Sequence, residues 1–202
     1  MYNNVIEFYK MANNLKNVVR TGWKEVGIPS DKVESVADHV YGTMILSLGI
    51  VSEAKLDLDL EKVFKMILIK ELYKGVSNKE ESIITSNEVE DKKASVEKVV
   101  SKLSSNGDLL GIYDEYDSQS TKEAKFAKKV CKLESDLQAK IYEKNGDFTI
   151  ENAKSDIENY PEDIKVKVGT IKNASDGWII YDRDFYDDEL FINFSKEIQE
   201  ME

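Results

Sequence analysis

One histidine (His39), one cysteine (Cys131), two prolines and two arginines are what this 202-residue chain has least of. A lone cysteine excludes an internal disulfide. A lone histidine excludes any metal site that needs two imidazoles from the same chain. Two prolines and 41% apolar residues exclude a loop-rich or disordered polypeptide. Because Arg20 and Arg183 are the only arginines, a planar two-pronged contact to a phosphate can form at just two places. Apolar runs are short as well: Met66-Ile67-Leu68-Ile69 is stopped by Lys70, so no membrane span and no membrane partner are expected. No basic start leads into an apolar stretch, so no secretion signal is read and the expected location is cytoplasmic.

Charge of one sign is also scarce. Against 39 acidic residues stand 28 basic ones, a net charge of −11. Binding to a nucleic-acid polymer draws much of its affinity from neutralised phosphates, so no such partner is expected. A small phosphorylated ligand stays compatible, because a pocket can be locally positive inside an acidic protein.

What is present is helical periodicity. Val5, Phe8, Ala12, Leu15 and Val19 recur at steps of three and four, and Gly22 and Gly27-Ile28-Pro29-Ser30 then break the pattern. A second stripe runs through Val36, Val40, Met44, Leu48 and Val51. Asp57 or Asp59 can cap a third helix with a face of Leu60, Val63, Phe64, Ile67, Leu68 and Leu72. Thr85-Ser86-Asn87-Glu88 and Ser120-Thr121-Lys122-Glu123 have capping-box spacing. Asn106-Gly107-Asp108 reads as a turn, and Asn145-Gly146 as a left-handed helix stop. Ile164 to Val168 alternates as a strand does, yet Pro161 ahead of Ile164, Val168 and Ile171 fits a helix equally well. Leu190, Phe191, Phe194 and Ile198 form the stripe of a closing helix in an acidic, aromatic tail. The fold class expected is all-α, a helical bundle, with a core over 1–145 and a C-terminal helical extension over 146–202 packed on it.

The segment from Arg20-Thr21-Gly22-Trp23 to Glu34-Ser35-Val36-Ala37-Asp38-His39 resembles the opening of the 5'-deoxynucleotidase-like branch of the HD-domain metal-dependent phosphohydrolases. Asp114-Glu115-Tyr116, then Thr121 to Phe126, then Lys132-Leu133-Glu134 are similar to later stretches of that family in the same order. The resemblance runs from about Val5 to Glu143 and implies an HD-domain-like bundle.

In the family a first histidine, a His-Asp pair and a distant aspartate hold the metal. The resemblance puts His39 at the first position, Lys70-Glu71 at the pair and Cys131 at the last. Lys74 stands where the family has an acid that assists catalysis, and Val76 follows Gly75 in place of an aspartate. A lysine must lose a proton before it can ligate, and as an ammonium it repels a divalent ion. Hence the expected site keeps at most His39 and Glu71 as metal ligands, has no intact catalytic set, and needs no cofactor. The reading that follows is a phosphohydrolase-like protein with impaired catalysis that keeps a small phosphate or nucleotide pocket. Arg20, Trp23, Lys70 and Lys74 are its candidate ligand contacts, with the alternative for Arg20 and Trp23 being an ion pair and a packed indole. The other function class is an active 5'-deoxynucleotidase-type enzyme with a rebuilt site for manganese, cobalt, magnesium or zinc. Surviving acids near a vacated site need a counter-charge, so Lys70 or Lys74 is expected to pair with Asp38 or Glu71 beside His39. A homodimer is expected from the resemblance and from the aromatic closing helix.

Overall fold

Side-chain caps at Ser35, Asp59, Thr121, Thr149 and Asp188 open five helices in the computed structural model, which describes residues 1–76, 88–169 and 171–201, the side chains of 88–91 excepted. The helices are α1 Tyr2–Asn13, α2 Thr21–Glu25, α3 Val36–Ala54 and α4 Leu60–Ile69. Next come α5 Leu72–Val76, α6 Glu88–Val100, α7 Asn106–Ser118 and α8 Lys122–Asn145. The last are α9 Ile150–Ile157, α10 Glu162–Val168, α11 Asp176–Arg183 and α12 Glu189–Gln199. Among the described residues there is no strand, only an isolated antiparallel bridge between Val19 and Ser35. The fold is all-α, and no helix among the described residues is long and apolar enough to cross a membrane.

Two compact units make up the chain: Met1–Thr21 with Glu34–Val130, and Gly22–Val33 with Cys131–Glu202. In the first, α5 packs on α1 and α6, α4 on α3 and α7, and α6 on α7. Leu15, Val36, Ile69, Leu72, Val96, Val99, Val100 and Tyr113 form its buried cluster. The approach of α5 to α1 depends on Gly75, where a Cβ would stand 2.6 Å from the carbonyl oxygen of Met11. Asn14 Nδ2 donates to the Gly75 carbonyl at 3.0 Å across the same junction. Asp59, rather than Asp57, caps α4 by accepting from Lys62 N at 3.1 Å.

In the second unit Trp23 stacks on Trp178 with ring centres 4.4 Å apart and meets Tyr142 edge-on at 5.3 Å. Arg183 on α11 ties down α12, its Nε donating to Ser195 Oγ at 3.1 Å and its Nη2 to Gln199 Oε1 at 2.6 Å. Asp136 is fully buried and accepts from Tyr186 Oη at 2.9 Å through one oxygen, while its Oδ1 has no partner. Burial, reinforced by the nearby Asp182 carboxylate, pushes its acid well above the usual carboxylate range.

Several boundaries differ from the sequence reading. Asn106-Gly107-Asp108 opens α7 instead of forming a turn, since Asp108 is favoured in a helix's first turn and the glycine is tolerated at the exposed start. Thr121, not Ser120, caps α8, accepting from Ala124 N at 3.3 Å, and Glu123 reaches Asp59 N instead of closing a box. Leu48, placed by its spacing in the apolar stripe of the second helix, is 47% exposed. Pro161 precedes the helix α10, whose Ile164 and Val168 are buried, which resolves the strand-or-helix ambiguity toward helix. Gly146 has φ +78° directly after Asn145, as the left-handed stop requires. The Thr85–Glu88 capping box lies largely outside the described residues.

Candidate functional site

Backbone pairing assembles the first part of the site. Arg20 N donates to the Glu34 carbonyl at 3.1 Å and Val36 N to the Val18 carbonyl at 2.7 Å. The pairing sets Arg20 beside Glu34, and their side chains form an ion pair of 2.6 Å, with Glu34 only 8% exposed. Ser35 then starts α3: its Oγ accepts from Asp38 N at 3.1 Å, while Asp38 Oδ2 accepts from Ser35 N and Oγ at 2.8 Å each. That reciprocal cap spends the Asp38 carboxylate on the helix start and fixes the first turn. His39, the next residue, therefore falls on the buried side of α3. Thr43 Oγ1 donates to its carbonyl at 2.8 Å.

Burial first, and then the Arg20 guanidinium and the Lys70 ammonium, hold His39 well below the usual imidazole range, against the opposing pull of Glu71. His39 is thus a neutral imidazole at physiological pH, the form that can ligate a cation or accept a proton.

A break between two helices supplies the second part. α4 ends at Ile69 and α5 begins at Leu72, so Lys70 and Glu71 occupy the bend. Lys70 N still donates to Met66 O at 3.1 Å, Glu71 N turns to Leu68 O at 3.3 Å, and Lys74 N donates to Glu71 O at 3.0 Å. The tightened turn brings both ammonium groups to one carboxylate. Lys74 Nζ lies 2.9 Å from Glu71 Oε2, and Lys70 Nζ is bonded to Glu71 Oε1. Burial alone would raise the Glu71 acid, but the two lysines outweigh it and hold the carboxyl well below its usual range. The expected counter-charge is therefore in place at Glu71, while Asp38 is committed to its cap.

The structure brings Arg20, His39, Lys70, Glu71 and Lys74 into one electrostatic neighbourhood of the first unit. Arg20 is paired with Glu34, and Lys70 and Lys74 with Glu71, around a neutral imidazole. Trp23 and Cys131 belong to the second unit. Trp23 is 1% exposed with its ring covered by Trp178, so the indole packs there. Cys131 is buried on α8, and Val76 packs half-buried against the first unit's apolar cluster.

Glu34 was not singled out by the sequence reading, though it offers a carboxylate oxygen within 4.8 Å of a His39 ring nitrogen. Its signal was available: one of only two arginines stands near the start of the same resembling segment, and a buried guanidinium needs an acid. Within the first unit, His39 and Glu34 bring ligand atoms close enough to share a cation, though Glu34 also pairs with Arg20, and both oxygens of Glu71 are engaged by ammonium groups.

An all-helical unit whose third helix opens with a capped, buried histidine facing a bend of charged residues defines the class to which comparison with known proteins gives a name. A family model described as HD domain matches residues 12–168. The chain belongs to the HD-domain family and is 5'-deoxynucleotidase-like within it. It is 28% identical over 151 residues to 5'-deoxynucleotidase HDDC2 of Dictyostelium discoideum, covering 70% of this chain and 78% of that one. To the Xenopus laevis protein of the same name it is 29% identical, covering 69% of each. The crystal structure of the PH0347 protein from Pyrococcus horikoshii OT3 is similar at 26% identity and a TM-score of 0.55, over 78% of this chain and 87% of that one. A predicted metal-dependent phosphohydrolase from Magnetospirillum magnetotacticum MS-1 shares the fold at a TM-score of 0.58 and 14% identity, over 98% of this chain and 96% of that chain.

Proposed function

We propose that this HD-domain protein binds a small phosphorylated ligand of the nucleoside monophosphate class at Arg20, Lys70 and Lys74, and does not hydrolyse it by metal catalysis. The observation that carries the reading is the double ion pair of Lys70 and Lys74 on Glu71 beside a neutral, buried His39. A divalent cation at the His-Asp position would face two ammonium groups and find Glu71 already satisfied. An anionic phosphate would meet the reverse: two ammonium groups gathered on one carboxylate, with the Arg20 guanidinium in the same neighbourhood. Trp23 takes no part, because its ring is covered. His39, unprotonated, accepts a hydrogen bond from a phosphate monoanion or a ribose hydroxyl.

A second reading rests on one observation, the closeness of Glu34 to His39. Two such ligands with water can hold zinc or manganese, and the chain would then be an active phosphohydrolase with a rebuilt site.

Turnover of a panel of deoxynucleoside 5'-monophosphates with manganese, cobalt, magnesium or zinc separates the two. The binding reading expects no phosphate release above a protein-free control. Chelator-sensitive turnover that disappears in His39→Ala establishes the second reading instead.

A further inference from the structure

A cleft of about 510 Å³ opens in the second unit, lined from the end of α8 and the end of α12. That volume suits one small organic molecule. Hydrogen bonds fix its walls to one another. Glu143 Oε2 accepts from Ser175 N and Oγ at 2.7 Å each, which ties α8 to the start of α11. Asp176 accepts from Asn173 N at 2.8 Å and from Gln199 Nε2 at 3.1 Å, which ties the same turn to α12. Lys140 lines the cleft and is only 6% exposed. An ammonium has three donors. One goes to Glu143 Oε1 at 2.7 Å, and Lys140 has no other hydrogen-bond or ion-pair partner among the described residues. A buried charge with donors to spare at the edge of a cleft calls for an anion there. Lys144 lines the cleft one helical turn further along α8. From α12 comes a carboxylate, Glu200, at the helix C-cap, where the last carbonyls also favour positive charge. Ile141 and Met201, 46% and 44% exposed, add apolar surface that the chain leaves uncovered.

We propose that this cleft binds a free α-amino acid with an aliphatic side chain. Its carboxylate takes the open donors of Lys140 with the charge of Lys144, its ammonium meets Glu200, and its side chain covers Ile141 and Met201. Charge selects this class over others. The two lysines of the lining face two acids, Glu143 and Glu200, so a dianion such as phosphate would enter uncompensated, whereas a zwitterion adds no net charge. A purely apolar molecule would leave the buried Lys140 ammonium with nothing to donate to. Arg20, Lys70 and Lys74 belong to the first unit, and the proposal does not depend on the phosphate reading made for them.

Equilibrium dialysis of the full chain against labelled L-leucine tests the site, with leucinamide, 4-methylpentanoate and inorganic phosphate as competitors. Leucine is expected to bind. Leucinamide, which lacks the carboxylate, and 4-methylpentanoate, which lacks the ammonium, are each expected to bind at least ~10-fold more weakly, one charge-assisted contact being lost in each. Lys140→Met and Glu200→Gln are expected to weaken leucine by a similar factor, and Glu200→Gln to close the gap between leucine and 4-methylpentanoate. Glu200 is exposed, so its variant keeps the test sound if Lys140→Met, which strands Glu143, folds poorly. Val166→Asp, at an 81% exposed position outside the cleft, is expected to bind leucine as the wild type does. A wild type that retains no leucine at millimolar concentration overturns the proposal. So does competition by 4-methylpentanoate or phosphate as strong as that of unlabelled leucine, an affinity indifferent to both Lys140→Met and Glu200→Gln, or one lost equally in Val166→Asp.

Discussion

Replacing Glu71 with glutamine keeps the shape of the side chain and removes the charge that two lysines share. The amide oxygen can still accept from one ammonium, but the amide nitrogen then faces the other. Both lysine side chains are 12% exposed and Glu71 5%, so water screens the orphaned charges little. Removing one side of a buried ion pair costs about 3–5 kcal/mol. With some relief from the partial exposure of the lysines, about 3 kcal/mol is expected here, or roughly 6–12 °C in melting temperature for a chain of this length. The loss depends on pH in a defined direction. The folded-state carboxyl of Glu71 is depressed, so its contribution is present above the unfolded-state value and is lost as pH falls through the folded-state value. The gap between wild type and Glu71→Gln is therefore full at neutral pH and closes below about pH 4.5. Adding Lys70→Met to Glu71→Gln recovers part of the loss by removing one orphaned cation. Calorimetric melts of the three proteins at neutral and acidic pH provide the assay. A Glu71→Gln variant that melts with the wild type at neutral pH, or a gap that does not change on acidification, refutes the ion-pair account.

The second unit gives two further tests. Burial, reinforced by the neighbouring Asp182, raises the folded-state value of Asp136 above the unfolded one, so wild-type stability declines as pH rises between the two. Asp136→Asn keeps an acceptor for Tyr186 and removes the titration. Urea midpoints should match the wild type near pH 4 and exceed it at about pH 8; equal midpoints at both disprove the assignment. Trp23→Leu empties a stacked, 1% exposed position and should cost about 2–4 kcal/mol with loss of near-ultraviolet dichroism from the Trp23–Trp178 pair. A melt unchanged within 1 kcal/mol, on the order of the smallest core deletions, argues against the packing role.

The sequence made the helical class and much of the site's composition readable, because periodicity and capping residues are local signals. His39, Lys70, Glu71 and Lys74 could be brought together on paper through their resemblance to a known order of ligands, and the need for a counter-charge at Glu71 followed from chemistry. Glu34 escaped because its pairing with Arg20, fourteen residues earlier, is non-local, and the scarcity of arginine was the one clue to it. Asp136 gave no signal in the sequence, and only tertiary packing buries it. Leu48 shows the limit of periodicity, which records that a face is apolar but not whether its own chain covers it. Trp23 and Arg20 each had a packing alternative, and the structure gives each a long-range partner that no local pattern announces, Trp178 and Glu34.

Because His39 is the chain's single histidine, its ring nitrogens give one unambiguous reporter at the proposed site. Nitrogen NMR of histidine-labelled protein, in chelator and then with added manganese, tests the central claim that the pocket holds phosphate without a metal. The account predicts a neutral imidazole at pH 7, a shift on addition of a deoxynucleoside monophosphate in chelator that Lys70→Ala weakens, and no broadening by stoichiometric manganese. A resonance that ignores the nucleotide until manganese is added, and is broadened by that metal alone, contradicts it.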